Sequence, residues 1–423
     1  VKSILIFYCK VKYINKPIAV YRMVKYVNIE NVEQIQVIND LENDLYLDVW
    51  SHALPGKPGQ ILVPKEVKED FENKLNAVGI KYKIDVENIK DLIELEEQQM
   101  AAAAARSVTN TSRLSFDRIH TYDAINAYIE DLARRYSHVT LVNGGSSFQG
   151  RPINYLRISS TNFQDNSKPV VMMQSLLHAR EWITQPSTIY AIHKLVIDVT
   201  DPDLLNNIDW IIVPVVNPDG YIWSHTNARF WRKNRRTGNA CIGVDLNRNF
   251  DSYWGTASSN NACSDTFHGS RALSEPESQV IANIINRYRS RMALFLDIHS
   301  FGSMILYGYG NGVLPPNALT INLAGVRMAQ AIDRVKWPQN PNYIVGNIAN
   351  VLYRASGGAS DQAQTSGVPL SYTYELPAFN NISGSNNGFL VDDRFIEQAG
   401  YETWEGIKAG ARFAVTNYKR NAK

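Results

Sequence analysis

Residues 169–183, PVVMMQSLLHAREWI, change character within a short stretch. The first nine are mostly apolar, which is typical of a strand that is buried on both faces of a sheet. Three chargeable side chains, His178, Arg180 and Glu181, then follow within four positions. Because ligands of open α/β sheets bind beyond the carboxyl ends of the strands, the pattern predicts a functional site where this strand ends.

The same alternation of apolar strands with helices extends from about residue 114 to residue 423. Further near-continuous apolar strands are predicted at 209–221 and 292–300. Helices are predicted at 122–136, 181–198 and 276–290. Strands of this kind need cover on both faces, so the sequence predicts an α/β fold with a mixed, largely parallel central sheet and helices on both sides.

The first part of the chain has a separate pattern. Residues 17–86 read as strand, helix, strand, strand, helix, strand, which predicts a small α/β domain. Residues 87–106 contain no Gly or Pro and are rich in strong helix formers, so a helical connector is expected. The polar residues after Arg106 predict an exposed junction of the kind that proteases cut.

Composition argues against several broad classes of protein. The 423 residues are enough for two domains, and a net charge of +2 gives no argument for nucleic-acid binding. No run approaches the roughly 18 uninterrupted apolar residues of a membrane span. The short apolar run in residues 1–16 fits the remnant of a signal peptide without deciding the question.

Cysteine usage leaves two interpretations open. Cys241 and Cys263 lie among Asn, Ser and Gly residues, which suits a disulfide that staples a loop in an oxidising compartment. Two free thiols in a cytosolic enzyme fit the same spacing equally well. Cys9 is left over, either as a free thiol or in a segment that is removed on maturation.

His178 and Glu181 are the first candidates for a metal site. Positions i and i+3 of a turn that enters a helix share a face, and imidazole and carboxylate both bind zinc well. His299, at the end of another buried-strand pattern, is a candidate third ligand. The signal of two residues alone is weak, because an ion pair of Glu181 with Arg180 beside a partly buried histidine would look the same.

Neighbouring motifs do not decide the chemistry by themselves. The basic run FWRKNRR at residues 230–236, with Lys233 and Arg236 among its cations, is more often a solvated face than a binding site. The sequence contains no His-Glu-x-x-His motif and no Gly-x-Ser-x-Gly motif, so thermolysin-like zinc proteases and serine hydrolases are unsupported.

Seven motifs in order resemble one family. They are HAREW, NPDGY, FWRKNRR, GVDLNRNF, HSFG, YRASGGASD and TYEL. The sequence resembles the M14 zinc metallocarboxypeptidases of the digestive A/B type that carry an N-terminal activation domain, and is most similar to procarboxypeptidase A. The similarity extends over essentially the whole chain, least in the first 20 residues. Carboxypeptidase A is itself the general example of a zinc site built from two histidines and one glutamate.

This resemblance implies a role for each matching residue at the reaction centre. The ligands of one Zn²⁺ would be His178, Glu181 and His299. Asp245 would orient His178 from behind the metal. Glu375 would be the general base and acid for a zinc-activated water that hydrolyses the C-terminal peptide bond, and Arg235 would stabilise the oxyanion.

The resemblance also implies the contacts to the substrate. The terminal carboxylate would be bound by Asn247, Arg248 and Tyr353, and a planar guanidinium suits this task better than a lysine. The preceding part of the peptide and the approach to the site would be lined by Arg180, Arg232, Ser300 and Phe301. A cis peptide before Phe301 and a Cys241–Cys263 disulfide are implied as well.

The pocket for the C-terminal side chain departs from both common subtypes. By resemblance its lining would be Leu306, Gly310, Ile348, Ala355, Gly358, Ser360 and Thr373. Basic-specific members place an acidic residue where this chain has Ser360, and typical A-type members place a bulky aliphatic one. Without that carboxylate a terminal Lys or Arg would bury an unpaired charge, so broad preference for aromatic and aliphatic ends is expected. Asp361 matches a position that is acidic in both subtypes.

Residues 1–106 would form the activation propeptide, with its globular part at about 17–86, and residues 107–423 the catalytic domain. A trypsin-like protease would cut after Arg106 or Arg113, and until then the propeptide would inhibit the enzyme. The implied protein is secreted, acts in a digestive lumen on peptide C-termini, is a monomer, and has no nucleic-acid or membrane partner.

Two alternatives stay open. One is a basic-specific (B-type) or regulatory carboxypeptidase. The other is a catalytically silent, peptide-binding member, although such a protein would lack the base or a metal ligand. Glycosylation at the sequons of Asn110 and Asn381 is also left open.

Overall fold

The computed structural model describes residues 21–106, 114–378 and 388–421 of the chain. Two separate sheets organise these residues, one of four strands near the N-terminus and one of eight strands in the remainder. Several positions with predictions attached lie outside the described residues, namely residues 1–16, Asn110, Arg113 and Asn381.

The N-terminal unit shows the order of elements that the sequence predicts. Its strands are β1 (Tyr21–Asn28), β2 (Asp48–Ser51), β3 (Gly59–Pro64) and β4 (Lys81–Val86). Its helices are α1 (Val32–Leu45), α2 (Lys68–Ala77) and the connector α3 (Ile89–Arg106). The strands pair antiparallel in the order β2-β3-β1-β4.

Local sequence explains where α1 begins and how it packs. Asn31 precedes the helix in an extended conformation, and its side chain accepts a hydrogen bond from Gln34 N at 3.0 Å, which caps the first turn. The buried side chains Ile38 and Leu41 of α1 join Phe71 and Leu75 of α2 in one apolar cluster with the sheet. This unit therefore has a core of its own.

The larger unit alternates strands and helices. Its strands are β5 (Val139–Ser146), β6 (Pro152–Ile158), β7 (Val170–Ser175), β8 (Asp209–Val213), β9 (Met292–Ser300), β10 (Met304–Tyr307), β11 (Ile344–Asn347) and β12 (Ser371–Leu376). Its helices are α4 (Tyr122–Arg135), α5 (Thr184–Val196), α6 (Pro202–Asn207), α7 (Pro218–Thr226), α8 (Pro276–Tyr288), α9 (Ala318–Asp333), α10 (Ile348–Val351), α11 (Ala359–Thr365) and α12 (Asp393–Asn421).

The eight strands form one mixed sheet in the order β11-β10-β12-β9-β7-β8-β6-β5. The central pairs β12–β9, β9–β7 and β7–β8 are parallel, whereas β10–β12, β8–β6 and β6–β5 are antiparallel. Alternate residues of β7 enter two different apolar clusters, Val171 and Met173 on one face and Val170 and Met172 on the other. The predicted α/β fold with cover on both faces of its sheet is confirmed.

One predicted strand is shorter than the sequence pattern indicates. The apolar run at 209–221 is a strand only as far as Val213, where β8 ends. Pro214 follows and cannot donate to a strand ladder. Asn217 then caps a new helix by accepting from Gly220 N at 2.9 Å, and Pro218 occupies the first helical position. Predicted helix 181–198 likewise begins only at Thr184, so Glu181 lies in the preceding turn.

Across the described ranges, every helix is too short or too polar to cross a lipid bilayer.

A buried acid in α12 makes the stability of the fold depend on pH. Glu402 is fully buried, and its Oε2 accepts from Trp337 N and Gln398 Nε2, each at 3.0 Å. Burial raises the pKa of Glu402 to about 7 from an ordinary value of 4.5. Between these two pH values the carboxyl is neutral in the fold and ionised in the unfolded chain, so stability falls as pH rises through this window.

We expect Glu402→Gln to raise the free energy of unfolding at pH 8 by about 1–3 kcal/mol and to change it much less at pH 4.5, because the amide never ionises. Thermal and urea unfolding at the two pH values measure this difference. Glu397→Gln, at an exposed position on the same helix, is the matched control and should alter neither value. An equal gain in the free energy of unfolding from Glu402→Gln at both pH values would contradict a raised pKa of Glu402 in the folded protein.

Candidate metal centre and substrate cleft

The predicted metal ligands meet where two neighbouring strands end. β7 and β9 are paired and parallel, so their carboxyl ends lie at the same edge of the sheet. The chain leaves β7 in a turn that carries His178 and Glu181, and β9 itself carries His299. All three side chains are buried and face one point.

Their donor atoms are close enough to share one ion. His178 Nδ1 lies 2.7 Å from Glu181 Oε1, His299 Nδ1 lies 2.9 Å from Glu181 Oε2, and the two Nδ1 atoms are 3.1 Å apart. Ligands that bind one tetrahedral zinc at about 2.0–2.1 Å lie roughly 3.3 Å from one another. Two imidazoles and a carboxylate at this spacing therefore fit a catalytic zinc site with one open position.

The far nitrogen of each imidazole faces a buried carboxylate. His178 Nε2 lies 3.0 Å from Asp245 Oδ1, which is the contact that the sequence predicts. His299 Nε2 lies 2.8 Å from Asp297 Oδ2, a partner that the sequence analysis missed because no motif contains it. Histidines that bind a metal usually donate the other ring N–H in this way, which fixes the ring and its tautomer.

Arg232 links the Asp245 carboxylate to the cleft. It donates to Asp245 Oδ2 from Nη2 at 2.9 Å, and its Nη1 lies 3.8 Å from Glu181 Oε1. Burial disfavours the charged form of Asp245, but the charge of Arg232 and the hydrogen bond from His178 outweigh it and hold the pKa of this carboxyl well below its usual range. Asp245 is therefore an anion that holds both a metal ligand and a guanidinium in place.

The structure does not bring Arg235 to the cleft, contrary to the role predicted for it. Its guanidinium carbon lies 3.7 Å from the centre of the Trp223 ring and 4.5 Å from that of Trp231, between two aromatic side chains. Arg232 lines the cavity that contains the metal ligands, and Arg235 does not. The guanidinium of the basic run that reaches the cavity is therefore that of Arg232, three residues earlier.

Glu375 faces the metal ligands from the neighbouring strand. β12 pairs with β9 in parallel, with Glu375 opposite His299, and Glu375 lines the same cavity. Burial raises the pKa of Glu375 to about 8, and the negative charge of Glu181 adds to this effect while His299 and Arg232 oppose it. A carboxyl whose pKa lies near neutral pH suits general acid–base catalysis, because it can both take up and return a proton.

The predicted carboxylate-binding residues converge beside Glu375. Arg248 is the last residue of the short helical turn Leu246–Arg248 that follows Asp245, and its Nη2 donates to the Tyr353 hydroxyl at 3.1 Å. Asn247 is fixed by accepting from Ala359 N at 2.9 Å, and all three residues line the cavity. A disulfide joins Cys241 to Cys263 on either side of this segment, with the Cα atoms 5.0 Å apart.

Only part of the predicted side-chain pocket is open to the cavity. Ile348, Ala355 and Thr373 line it, whereas four of the predicted residues do not, namely Leu306, Gly310, Gly358 and Ser360. Ser360 lies directly behind the wall, because its hydroxyl is 2.8 Å from the Thr373 hydroxyl. The buried Asp361 carboxylate accepts from Gly310 N at 2.7 Å, and burial raises the pKa of Asp361 to about 6.

The N-terminal unit covers the other side of the cleft. Asp48 of β2 accepts from Arg180 Nη1 at 2.6 Å, and the ring of His52 lies 4.4 Å from that of Tyr353. Trp50 joins an apolar cluster with Phe389, on which the predicted substrate contact Phe301 also packs. The peptide bond between Ser300 and Phe301 is cis, as the resemblance implies, and Ser300 lines the cavity too. The covered cavity has a volume of about 320 Å³.

The connector α3 makes a second, fully buried contact. Glu96 accepts from Arg229 Nε at 2.6 Å and from Arg229 Nη2 at 3.0 Å, and both side chains are almost completely buried. The same guanidinium stacks on Trp182 at 3.6 Å from the ring centre. Sequence reasoning missed Arg229, which stands one residue before the basic run, because its partner lies more than a hundred residues away.

Comparisons with known proteins match both units. The zinc carboxypeptidase family model (peptidase family M14) matches residues 125–406, and the carboxypeptidase activation peptide model matches residues 26–96. Carboxypeptidase B of Helicoverpa zea is 43% identical over 406 residues, covering 93% of this chain and 94% of that protein. Carboxypeptidase A2 of Rattus norvegicus is 34% identical, with 89% of each chain covered.

Two solved structures are similar to this chain over most of its length. The structure of carboxypeptidase A from Helicoverpa armigera matches with a TM-score of 0.92 at 63% identity, covering 95% of this chain and 99% of that one. The structure of thrombin activatable fibrinolysis inhibitor matches with a TM-score of 0.82 at 26% identity, covering 94% and 100%. The family matches account for the zinc-ligand triad and for the unit that covers it. The chain belongs to the M14 zinc carboxypeptidases and is a proenzyme of that family with its activation peptide in place.

Proposed function

We propose that this chain is a secreted carboxypeptidase proenzyme of the A type, which after loss of its activation peptide releases aromatic and aliphatic residues from peptide C-termini. The observation that carries the specificity is the wall of the cleft beside Arg248. It consists of Ile348, Ala355 and Thr373, with the Ser360 hydroxyl behind it. Among the described residues of this wall there is no carboxylate that could pair with a terminal Lys or Arg.

Recognition of the free C-terminus follows from the groups at this end of the cleft. A guanidinium reads a carboxylate through two parallel hydrogen bonds, and Arg248 is held for this purpose by its own contacts to Asn247 O and Tyr353. Asn247 and the Tyr353 hydroxyl would supply further hydrogen bonds. A peptide bound in this way places its last peptide bond next to Glu375 and the metal ligands.

His178, Glu181 and His299 would hold zinc, which when bound supplies Lewis acidity toward the attacking water and the scissile carbonyl. Glu375 would take a proton from the water as the water oxygen bonds to the carbonyl carbon. It would then pass that proton to the leaving amine nitrogen as the C–N bond breaks. Arg232 would stabilise the negative charge that develops on the carbonyl oxygen.

The B-type alternative has one observation in its favour, since the 43% identical relative from Helicoverpa zea is named a carboxypeptidase B. The 63% identical structure from Helicoverpa armigera is named a carboxypeptidase A. The chemistry of the wall supports the second assignment, because an unpaired buried charge costs several kcal/mol. Asp361 does not change this, since it is buried and does not line the cavity.

Latency is supported by the two ion pairs between the units. Asp48 occupies Arg180, so one cation of the cleft is not free to bind a peptide in the uncut chain, and Glu96 pairs with Arg229 outside the cleft and anchors the connector. We place the propeptide at residues 1–106 and the catalytic domain at 107–423, with activation by a trypsin-like protease after Arg106 or Arg113. The disulfide suits action outside the cell, in a digestive lumen, and we expect a monomer.

Substrate preference tests the proposal. With peptides that differ only in a terminal Phe, Leu or Arg, kcat/KM of the activated enzyme should be roughly 100-fold higher for Phe and Leu than for Arg, because the Arg side chain would lose its hydration without gaining a charge partner. Ser360→Asp is the informative variant and should lower or invert the ratio of kcat/KM for Phe and Leu over that for Arg. An Arg substrate that wins with the unaltered enzyme would contradict the A-type assignment.

Chelation tests the metal dependence. Phenanthroline should abolish release of every C-terminal residue, and added zinc should restore it.

The two arginines of the basic run give a matched pair of variants. Arg232→Gln should lower kcat by roughly 10²–10³ with a smaller effect on KM, because it removes a donor aimed at developing charge. Arg235→Gln should leave kcat within a few-fold and lower thermal stability instead, since it removes a guanidinium packed between two indoles. A larger loss of kcat in Arg235→Gln than in Arg232→Gln would restore the role predicted from the sequence.

Trypsin treatment tests latency. The full-length protein should cleave large peptides far more slowly than the trypsin-treated form, and N-terminal sequencing of the product should place the cut after Arg106 or Arg113. The peptide bond whose cleavage activates the enzyme is identified with Arg106→Gln and Arg113→Gln, made singly and together. The double variant should resist activation by trypsin. Equal rates before and after trypsin would refute an inhibitory propeptide.

A further inference from the structure

We propose that Asp297 is a second positioning carboxylate of the metal centre, which fixes His299 as Asp245 fixes His178, and that Gln174 holds Asp297 in place. This inference rests on the proposed metal-dependent function. It concerns a residue of β9 that lies behind the ligand, away from the cleft, and that no substrate can reach.

The orientation of the His299 ring decides which ring nitrogen can bind the metal and which can donate a hydrogen bond. Nδ1 faces the other two ligands, at 2.9 Å from Glu181 Oε2 and 3.1 Å from His178 Nδ1, so it is the nitrogen that can bind the ion. The neutral imidazole then carries its proton on Nε2. Nε2 lies 2.8 Å from Asp297 Oδ2 and can donate to it.

A second neighbour of Nε2 does not compete for this proton. Asn247 Nδ2 lies 3.2 Å away, but an amide nitrogen only donates. The Asn247 side chain is itself fixed by its oxygen, which accepts from Ala359 N. Asp297 is therefore the acceptor that selects the tautomer of His299.

The Asp297 carboxylate is held by the strand next to it. Its Oδ1 accepts from Gln174 Nε2 at 2.8 Å, and Gln174 lies directly opposite Asp297 in the β7–β9 ladder. Both side chains are fully buried. Gln174 Oε1 is buried and has no hydrogen-bond partner among the residues that the structure describes, which costs stability and is tolerated while the amide nitrogen points to Asp297.

The charge of Asp297 has little compensation in the protein itself. Within the described ranges, no Arg or Lys lies at salt-bridge distance from Asp297, whereas Asp245 has Arg232 at 2.9 Å. A buried carboxylate without a cation is expensive. A positive ion on the other side of His299 would supply the missing charge through the imidazole, so the arrangement suits an occupied metal site.

A purely structural role for the Gln174–Asp297 pair makes a different prediction. In that case, replacing Asp297 would change the stability of the sheet and leave the affinity for zinc unaltered. Metal affinity therefore separates the two interpretations, and activity alone does not.

The experiment compares Asp297→Asn with Asp209→Asn in the full-length protein. Asp209 is also fully buried in this sheet, but it lies at the opposite end of its strand and pairs with Lys168 and Arg291. Zinc affinity is measured by competition with a chelator of known affinity, and unfolding is followed in parallel. We expect Asp297→Asn to lower zinc affinity by roughly 10–100-fold and Asp209→Asn to leave it unchanged.

Two further measurements keep the inference testable. The visible absorption bands of the cobalt-substituted protein should shift in Asp297→Asn and remain unaltered in Asp209→Asn, because they report the ligand field of His299. If Asp297→Asn does not fold, Gln174→Met, of similar volume, should still lower zinc affinity, by a smaller factor. Unaltered zinc affinity in whichever of these variants folds would overturn the inference.

Failure of this inference is distinguishable from failure of the proposed function. If the unaltered protein binds zinc and cleaves peptides while Asp297→Asn keeps full zinc affinity, only the role of Asp297 is refuted. If the unaltered protein binds no zinc, the metal-dependent function itself is refuted, and the role of Asp297 with it.

Discussion

The parallel pairing of β7 with β9 is the constraint on which the rest of the site depends. Two buried parallel strands end at one edge, and each delivers a histidine there, one from the turn after β7 and one from β9 itself. β12, on the other side of β9, places Glu375 beside them. A one-residue slip in either ladder would turn these side chains to the opposite face of the sheet, so the packing of the core sets the geometry of the chemistry.

Charge is arranged in layers around that edge. Asp245 and Asp297 lie behind His178 and His299, respectively. Glu181 lies between the two histidines, and Arg232 extends from Asp245 to the cleft. Positive charge on the ion would balance the carboxylates behind it, while Arg248 and Arg232 give the open side of the cleft an attraction for anionic groups. An exopeptidase needs both features, since its substrate carries a free carboxylate and its transition state develops negative charge.

The activation peptide covers this site by supplying its own anions and aromatic rings. Asp48 binds Arg180 in the cleft, Glu96 binds Arg229 outside it, and Trp50 packs with Phe389 in an apolar cluster that bridges the two units. Burying these pairs makes each unit depend on the other for charge compensation. A cut in the connector would loosen that dependence, because the anions would no longer be tethered to the domain whose cations they occupy.

The sequence alone predicted the two α/β units and the three metal ligands, and its motifs suggested the residues that we propose as general base and carboxylate binders, because these stand in ordered motifs or at the ends of recognisable buried strands. It could not decide between Arg232 and Arg235. Both lie in a segment without regular secondary structure, where spacing does not define which side chain faces inward. For a related reason, the sequence did not indicate the contacts of Asp297, Glu96 and Arg229. Their partners are distant in the chain or on a neighbouring strand, and only the packing of the strands and of the two units brings them together.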